Sequence, residues 1–551
     1  MANPPAHPSL TGGLFNGGVP GVALRLLHTA AELRQWRQGW ERPADPLQFV
    51  PTMGGLHQGH QSLVALADRA RAARGGQVLL SVFVNPLQFG PAEDFDRYPR
   101  DLEADAELAA AAGADALFAP SAAEIYPGGP AELTRIQPPD SLVAGLCGRS
   151  RPGHFAGVAT VVARLLALVR PDVLWLGEKD WQQLVVLRRL VADLGLPLQV
   201  CSGPTLRQAD GLPLSSRNRY LSPDQQPQAL ALPRSLAAAA QQVQAGTNAI
   251  EGGPSMASLT EAVRSTLLQA GLVVDYVEAV EPRSLRPAET LQTNPLLLAA
   301  AAFCGTTRLI DHVFLMRRPP IVAIDGPAGA GKSTVTKAFA ARLGLIYLDT
   351  GAMYRAVTWL VASAGVDPAD ASAVAGLLVD LDLQLSTSAE GAQRVSINGQ
   401  DVTEAIRSPE VTGQVSVVAA HGCVREALTR QQQAMGARGG LVAEGRDIGT
   451  AVFPDAELKV FLTATAAERA RRRALDLAQR GFAVPELAEL EAQIAERDYL
   501  DSSRAVAPLV QATDAVELIT DGLSIGAVID QLELLFRERV PADAWPAPAQ
   551  G

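Results

Sequence analysis

The run Pro51-Thr-Met53-Gly54-Gly55-Leu56-His57-Gln58-Gly59-His60 sets two imidazoles three residues apart, just after the strand-like Leu47-Gln-Phe-Val50. Its glycines leave room for a nucleotide, and histidines at a helix start can donate hydrogen bonds to phosphates. The spacing is not G-x-G-x-x-G, so no dinucleotide fingerprint is expected. No third cysteine or histidine lies nearby, so the pair does not read as a metal site. Further along, Gly177-Glu178-Lys179-Asp180-Trp-Gln-Gln183 follows a second strand-like run, and Leu214-Ser215-Ser216-Arg217-Asn218 ends a polar loop opened by Leu206-Arg207. A third element, Gly326-Pro-Ala-Gly329-Ala-Gly331-Lys332-Ser333-Thr334, has the GxxxxGK[ST] spacing between a strand and a helix. Backbone N–H groups of such a loop wrap phosphates, Lys332 reaches the β- and γ-phosphates, and the Ser333 hydroxyl can bind Mg²⁺.

The lysines single out two of these places. Only four occur in 551 residues: Lys179, Lys332, Lys337 and Lys459. In a chain whose basic residues are otherwise arginine, a retained lysine suggests a need for a compact ammonium. The acidic balance, net −11, argues against a general nucleic-acid partner. No apolar run approaches the ~18 residues a membrane span needs. The Pro- and Gly-rich first twenty residues lack the pattern of a secretory signal and read as a flexible tail. Cys147, Cys201, Cys304 and Cys423 lie far apart with no CxxC spacing, which reads as reduced thiols in a cytoplasmic protein.

To position these residues the chain must alternate strands and helices. Strands are expected at Leu47–Val50, Val78–Val84 and Val173–Leu176, with helices over His60–Ala73, Leu102–Ala112, Val158–Val169 and Gln182–Leu194. This order predicts a parallel sheet covered by helices, with ligand loops at the carboxyl ends of its strands. From about 206 to 310 the alternation weakens into a smaller subdomain. After Arg317-Arg-Pro-Pro320 it restarts with Ile321-Val-Ala-Ile324, and the double proline marks a boundary.

Three segments beyond the phosphate loop put arginine beside a carboxylate: Asp349-Thr350-Gly-Ala-Met-Tyr-Arg355, Glu444-Gly-Arg446-Asp447 and Arg497-Asp-Tyr-Leu-Asp501-Ser-Ser-Arg504. Residues 319–540 resemble the bacterial cytidylate kinases. The resemblance implies transfer of a phosphoryl group from MgATP to CMP or dCMP. ATP would sit on Gly326, Gly329, Gly331, Lys332, Ser333 and Thr334. CMP would be held by Thr350 (where serine is common), Arg355, Ser416, Arg425, Asp447, Arg497, Asp501 and Arg504. The arginines 469, 471, 472 and 473 would belong to a lid over ATP or to a solvated face.

Residues 24–315, through HxGH, Asn85-Pro-Leu-Gln88, Arg151-Pro-Gly-His154, GEKDxQQ and SSRN, resemble pantothenate synthetases (pantoate–β-alanine ligases) of the adenylate-forming superfamily. Departures are Trp181, where tyrosine is frequent, and Gln208, where glutamate is usual. The resemblance implies a pantoyl adenylate intermediate, then its aminolysis by β-alanine. Met53 to His60, Gly177 to Asp180, Leu206 and Leu214 to Arg217 would contact ATP. His57, His60, Lys179 and Arg217 would carry the chemistry of charge, while Gln88 and Gln183 would hold pantoate, Gln88 also lying near β-alanine. A nucleotidyltransferase shares HxGH, but no basic cluster for a phosphorylated acceptor is present.

The expected architecture is therefore α/β throughout. Residues 1–20 form a tail. Residues 21–316 form a Rossmann-like adenylate-forming domain, with a core to about 205 and a small α+β subdomain at 206–316. Residues 317–551 form a P-loop nucleoside monophosphate kinase domain. Cofactors are ATP at both sites and Mg²⁺; partners are pantoate, β-alanine, CMP and dCMP, with no nucleic acid or membrane. The ligase family is generally dimeric, so a homodimer through the first half is expected.

Overall fold

A computed structural model describes residues 14–15, 24–40, 45–91, 93–129, 131–246, 254–291, 294–387, 393–479, 481, 483–503 and 506–548. The chain forms two compact units: Met1–Arg317 with Pro541–Ala544, and Arg318–Val540 with Trp545–Gly551. The short return of Pro541–Ala544 to the first unit departs from the expectation that all of 317–551 is one domain. Its cause is local: buried Glu178 accepts the N–H groups of Ala542 and Asp543, and Thr205 donates to the Asp543 carboxylate.

The first unit is built on β1 (Leu14–Phe15), β2 (Leu24–Leu27), β3 (Leu47–Thr52), β4 (Gln77–Val82), β5 (Ala116–Phe118), β6 (Val173–Gly177) and β7 (Gln199–Gly203). Among the described residues these make one sheet in the order β1-β2-β5-β4-β3-β6-β7, parallel except for the antiparallel β1–β2 pair. The pairing of Leu14 and Phe15 with Arg25 and Leu24 corrects the expected tail, since the edge of β2 offers unpaired backbone groups. The rest of residues 1–20 lies outside the described residues. The connections lead from β3 to β4 on one side and reach β6 on the other, so the carboxyl end of β3 is a topological switch point. Fully buried Phe49 and Phe118 anchor the core beneath it, each worth ~1.5–3 kcal/mol of burial.

One helix begins earlier than its apolar pattern suggests. His154–Val169 starts at His154 because Gly153, at φ 82°, turns the chain into it. Its Gly157 meets the Pro86–Gln88 turn so closely that a Cβ there would lie 2.3 Å from the Leu87 carbonyl oxygen. The later part of the unit carries an antiparallel sheet of β8 (Val273–Val280), β9 (Leu296–Cys304) and β10 (Thr307–Leu315), packed on helices Ala231–Gly246 and Met256–Gln269.

The second unit continues with β11 (Ile321–Asp325), β12 (Ile346–Asp349), β13 (Leu383–Thr387), β14 (Gln393–Ile397), β15 (Gln400–Asp401), β16 (Leu441–Gly445), β17 (Leu458–Thr463) and β18 (Val516–Ile519). Its main sheet is parallel, in the order β12-β16-β11-β17-β18, with β11 and the loop that follows it at the centre. β13, β14 and β15 form a separate antiparallel sheet in which the Asn398-Gly399 turn has both φ angles positive (50° and 79°), as a tight hairpin requires. Among the described residues no helix is long and apolar enough to cross a membrane.

Candidate active sites

In the first unit the chain leaves β3 through Gly54 and Gly55, at φ 87° and 63°. A Cβ on Gly54 would lie 2.8 Å from an Asp105 carboxylate oxygen, so the loop and that side chain are fitted to each other. Asp105, almost fully buried, accepts the N–H groups of Gly55 (3.0 Å) and Leu56 (2.7 Å) and fixes the loop from below. The sequence reading missed it, although a carboxylate on the Leu102/Ala106/Ala109 apolar face of its helix was a visible signal.

His57 then caps the helix Gln58–Arg74, its Nδ1 accepting the Gly59 N–H at 3.1 Å. His60 Nδ1 accepts the His57 N–H at 3.3 Å. An acceptor Nδ1 places the proton of each neutral ring on Nε2, and the two rings lie 4.1 Å apart. Burial, and next the Lys179 ammonium, lower His57 to about 4; burial and the neighbouring His57 lower His60 to about 3. At neutral pH both are therefore neutral hydrogen-bond donors. His60 can thus meet a phosphate oxygen through its Nε2–H.

The other predicted segments close around this loop. A Cβ on Gly55 would be 3.6 Å from that of Ser216, and one on Gly59 3.8 Å from that of Leu214. Leu206 and Leu214 are joined by a backbone hydrogen bond of 2.9 Å. Lys179, Asp180, Gln183, Ser215 and Arg217 all line one cavity of ≈ 90 Å³. Arg151 and His154 line it too, and the sequence reading had used them only as family markers. His154 donates from Nδ1 to the Gln88 carbonyl (2.8 Å), and burial followed by the Arg151 charge lowers it to about 4.

Some predicted residues are engaged elsewhere. Arg217 makes a two-pronged pair with Asp94 (2.9 and 2.8 Å), so it faces a carboxylate that a phosphate would have to displace. The Gln88 amide bonds Asn85 (3.0 Å) and the Met53 sulfur (2.9 Å), and Gln88 is not among the residues lining the cavity. Glu178 is fully buried away from that lining.

In the second unit, Gly326 follows β11 so close to β17 that a Cβ would sit 2.0 Å from the Leu462 carbonyl oxygen. Lys332 folds back on its own loop, donating to the carbonyls of Gly326 and Pro327 at 2.8 Å each. Burial, and next the Arg446 charge, lower its ammonium. Gly329 and Gly331 supply positive φ, and Thr334 is exposed one residue beyond Ser333. Ser333 donates to Glu444 at 2.6 Å, as does Tyr347 at 2.8 Å, both to the same oxygen. The second Glu444 oxygen is buried without a hydrogen-bond partner. Asp325 ties β11 to the loop after β16 through the Ile448 and Gly449 N–H groups (2.8 and 2.7 Å), and burial raises its carboxyl to about 6. Asp325 and Tyr347 were not foreseen, and Glu444 was read only as part of its Glu444-Gly-Arg446-Asp447 segment, without a role of its own; their positions on strands beside the phosphate loop were the available sign.

Thr350 donates to the Glu444 carbonyl (2.6 Å), Arg355 pairs with Asp349 (3.1 Å), Arg425 with Asp447, and Arg446 with Asp501 (3.0 Å). Arg497 is held below the usual guanidinium range by burial and by Arg446, and its buried Nε has no partner. Ser416 lies half-buried on the helix Pro409–Ala420, while Arg504 lies outside the described residues. The arginine-rich helix divides its roles. Arg469 and Arg472 donate to the Ala328 and Ala330 carbonyls of the phosphate loop, whereas Arg471 makes a surface pair with Glu468.

Residues 25–314 match the family described as pantoate-beta-alanine ligase, and residues 322–538 match cytidylate kinase. A bifunctional pantoate ligase/cytidylate kinase of Parasynechococcus marenigrum (strain WH8102) is 64% identical over 95% of this chain and 100% of its own length. One from Prochlorococcus marinus (strain MIT 9313) is 63% identical over 93% of this chain and 99% of its own. The solved pantothenate synthetase of Thermus thermophilus is 44% identical, covering 53% of this chain and 100% of that one with a TM-score of 0.48. The chain belongs to the bifunctional pantoate ligase/cytidylate kinase family, enzymes that join an ATP-using ligase and an ATP-using kinase in one polypeptide.

Proposed function

We propose that the first unit makes pantothenate at the cavity bounded by Lys179, Gln183, Ser215 and Arg217. A pantoate carboxylate oxygen attacks the α-phosphorus of ATP and pyrophosphate leaves. The β-alanine amine then attacks the acyl carbon of the adenylate, forming the amide bond and releasing AMP. The substrates supply nucleophile and leaving group, so the protein contributes orientation and stabilisation of developing charge. Lys179 and the Nε2–H groups of His57 and His60 face the phosphates, Arg217 exchanges Asp94 for phosphate oxygen, and Gln183 orients pantoate. Gln88 supports this set through Met53 and His154. The observation that carries the reading is the convergence of Lys179, Gln183, Ser215 and Arg217 on one cavity.

In the second unit a CMP or dCMP phosphate oxygen takes the γ-phosphoryl group of ATP, leaving ADP. Lys332 exchanges its two loop carbonyls for phosphate oxygens, and Thr350, Arg355, Ser416, Arg425, Asp447, Arg497, Asp501 and Arg504 hold the acceptor. The residues present fit Mg²⁺: Ser333 offers a hydroxyl beside a Glu444 oxygen left without a partner. When bound, the cation would supply neutralisation of the phosphate charge. The reading also makes the protein a cytoplasmic one, paired through its ligase unit as a homodimer.

The product nucleotide tests the scheme. Pantoate with β-alanine should yield AMP, and CMP should yield ADP. Lys179→Ala should lower pantothenate formation by roughly a hundredfold or more while leaving CDP formation intact, and Lys332→Ala the reverse. Either single change silencing both reactions in folded protein would refute separate sites.

A further inference from the structure

Glu178 stands between Gly177 and Lys179 on the loop after β6, and it is fully buried. A carboxylate there needs donors, and it has three. The Ser202 hydroxyl donates to one oxygen at 2.8 Å, joined by the Ala542 N–H at 3.1 Å. The Asp543 N–H donates to the other oxygen at 2.8 Å. The second oxygen therefore has its hydrogen bond only from Pro541–Ala544, the short stretch that belongs to the first unit although it lies more than two hundred residues after the rest.

That stretch is itself pinned. The Asp543 carboxylate accepts the Thr205 N–H (2.8 Å) and the Thr205 hydroxyl (2.5 Å), and His312 Nε2 stands 3.6 Å away. Thr205 precedes Leu206 at the start of the polar loop, and His312 lines the same cavity as Lys179 and Asp180. Asp543 thus links the loop after β7 to the loop after β6, with the Glu178 carboxylate as the shared post.

We infer that Asp543 is a positioning residue of the ligase reaction, holding Glu178 and through it the Lys179–Asp180 turn against the nucleotide. This rests on the assignment of Lys179 to the nucleotide site. Lys179 and Asp180 directly follow Glu178 in one turn of helix, so a shift of Glu178 moves the ammonium that meets the phosphates. The N–H of Asp543 meets Glu178 while its carboxylate is held by Thr205, so removing the side chain keeps the donor but releases the grip that sets it against Glu178, which favours movement of the turn rather than of the core strands.

The test uses the full chain with Asp543→Ala, Asp543→Asn and Lys179→Ala. Pantothenate and CDP formation are followed in the same samples, and the folded fraction of the ligase unit is followed by thermal unfolding. Asp543→Ala should lower the ligase kcat about tenfold, with the KM for β-alanine and the CDP rate unchanged and the ligase unit folded at the assay temperature. Asp543→Asn keeps an acceptor for the Thr205 N–H and should recover most of the loss. Parental ligase kcat in Asp543→Ala, with Lys179→Ala inactive, would overturn the inference. So would a loss matched by the unfolded fraction. Full activity in Lys179→Ala would instead overturn the site assignment beneath it.

Discussion

Replacing Asp105 tests whether the glycine loop after β3 is held in shape or merely permitted. The carboxylate accepts two N–H groups, from Gly55 at 3.0 Å and Leu56 at 2.7 Å, and both residues are buried. In Asp105→Ala both donors lose their partner at a site closed to water. Each orphaned donor costs ~1–3 kcal/mol, so the pair costs ~2–6 kcal/mol. Against a domain stability of roughly 5–15 kcal/mol, the first unit would be brought close to unfolding. Asp105→Asn keeps one acceptor oxygen and turns an NH₂ toward the second donor, for a loss of ~1–3 kcal/mol. Urea unfolding of the full chain should show the transition of the first unit moved to lower urea, more for Ala than for Asn. The KM for ATP in pantothenate formation should rise in Asp105→Asn, because the loop carrying His57 is no longer fixed. CDP formation serves as the control and should not change. An alanine variant that unfolds at the parental urea concentration with parental KM would refute the reasoning.

Two further outcomes follow from the same unit. Gln183→Ala should raise the KM for pantoate about tenfold while the KM for ATP stays within about twofold, because Gln183 lines the cavity as an uncharged amide; equal shifts in steady-state kinetics would remove its role. His57 protonates near 6.5 when unfolded but at about 4 in the fold. Between those values the unfolded chain binds more protons, so stability present above pH 6.5 is lost as the pH falls, by up to roughly 3 kcal/mol. His57→Gln should flatten the fall in denaturant midpoint between pH 7 and 4.5, and an unchanged slope would contradict the burial argument.

What the sequence made legible was chemistry fixed by near neighbours. The phosphate loop reads directly because Gly326, Lys332 and Ser333 must stand at fixed spacing for backbone amides and an ammonium to meet one phosphate chain. The His57–His60 pair was legible as a helix start, yet its tautomers depend on which ring nitrogen accepts a backbone N–H, and spacing alone does not state that. Asp105 holds a loop some fifty residues away, and Asp94 meets Arg217 across more than a hundred, so neither pairing leaves a local pattern. Asp543 is further still from Thr205, and its four-residue segment carries no periodicity. The strand Leu14–Phe15 was hidden because two residues are too few to show alternation.

Under the proposed function the two sites would meet the same triphosphate charge with different sets of groups, although each keeps an arginine already paired with a carboxylate, Arg217 with Asp94 in the first unit. In that reading the ligase loop would use His57 and His60, rings that are neutral at pH 7, with Lys179 as the sole lysine of its unit. Neutral donors cost less to desolvate than charges and would leave the α-phosphorus accessible to a carboxylate, itself an anion. The kinase unit instead gathers Arg355, Arg425, Arg446 and Arg497, and three of these have a carboxylate partner already in place: Asp349, Asp447 and Asp501. Burying guanidinium groups together is costly, which is why Arg497, with Arg446 nearby, is held below its usual range. On the proposed function an incoming nucleotide phosphate would exchange one anion for another rather than bring bare cations together, so the geometry of the site would be set before the acceptor arrives. Weakening one such pair, as in Asp501→Asn, should therefore leave Arg446 poorly oriented rather than freer to bind.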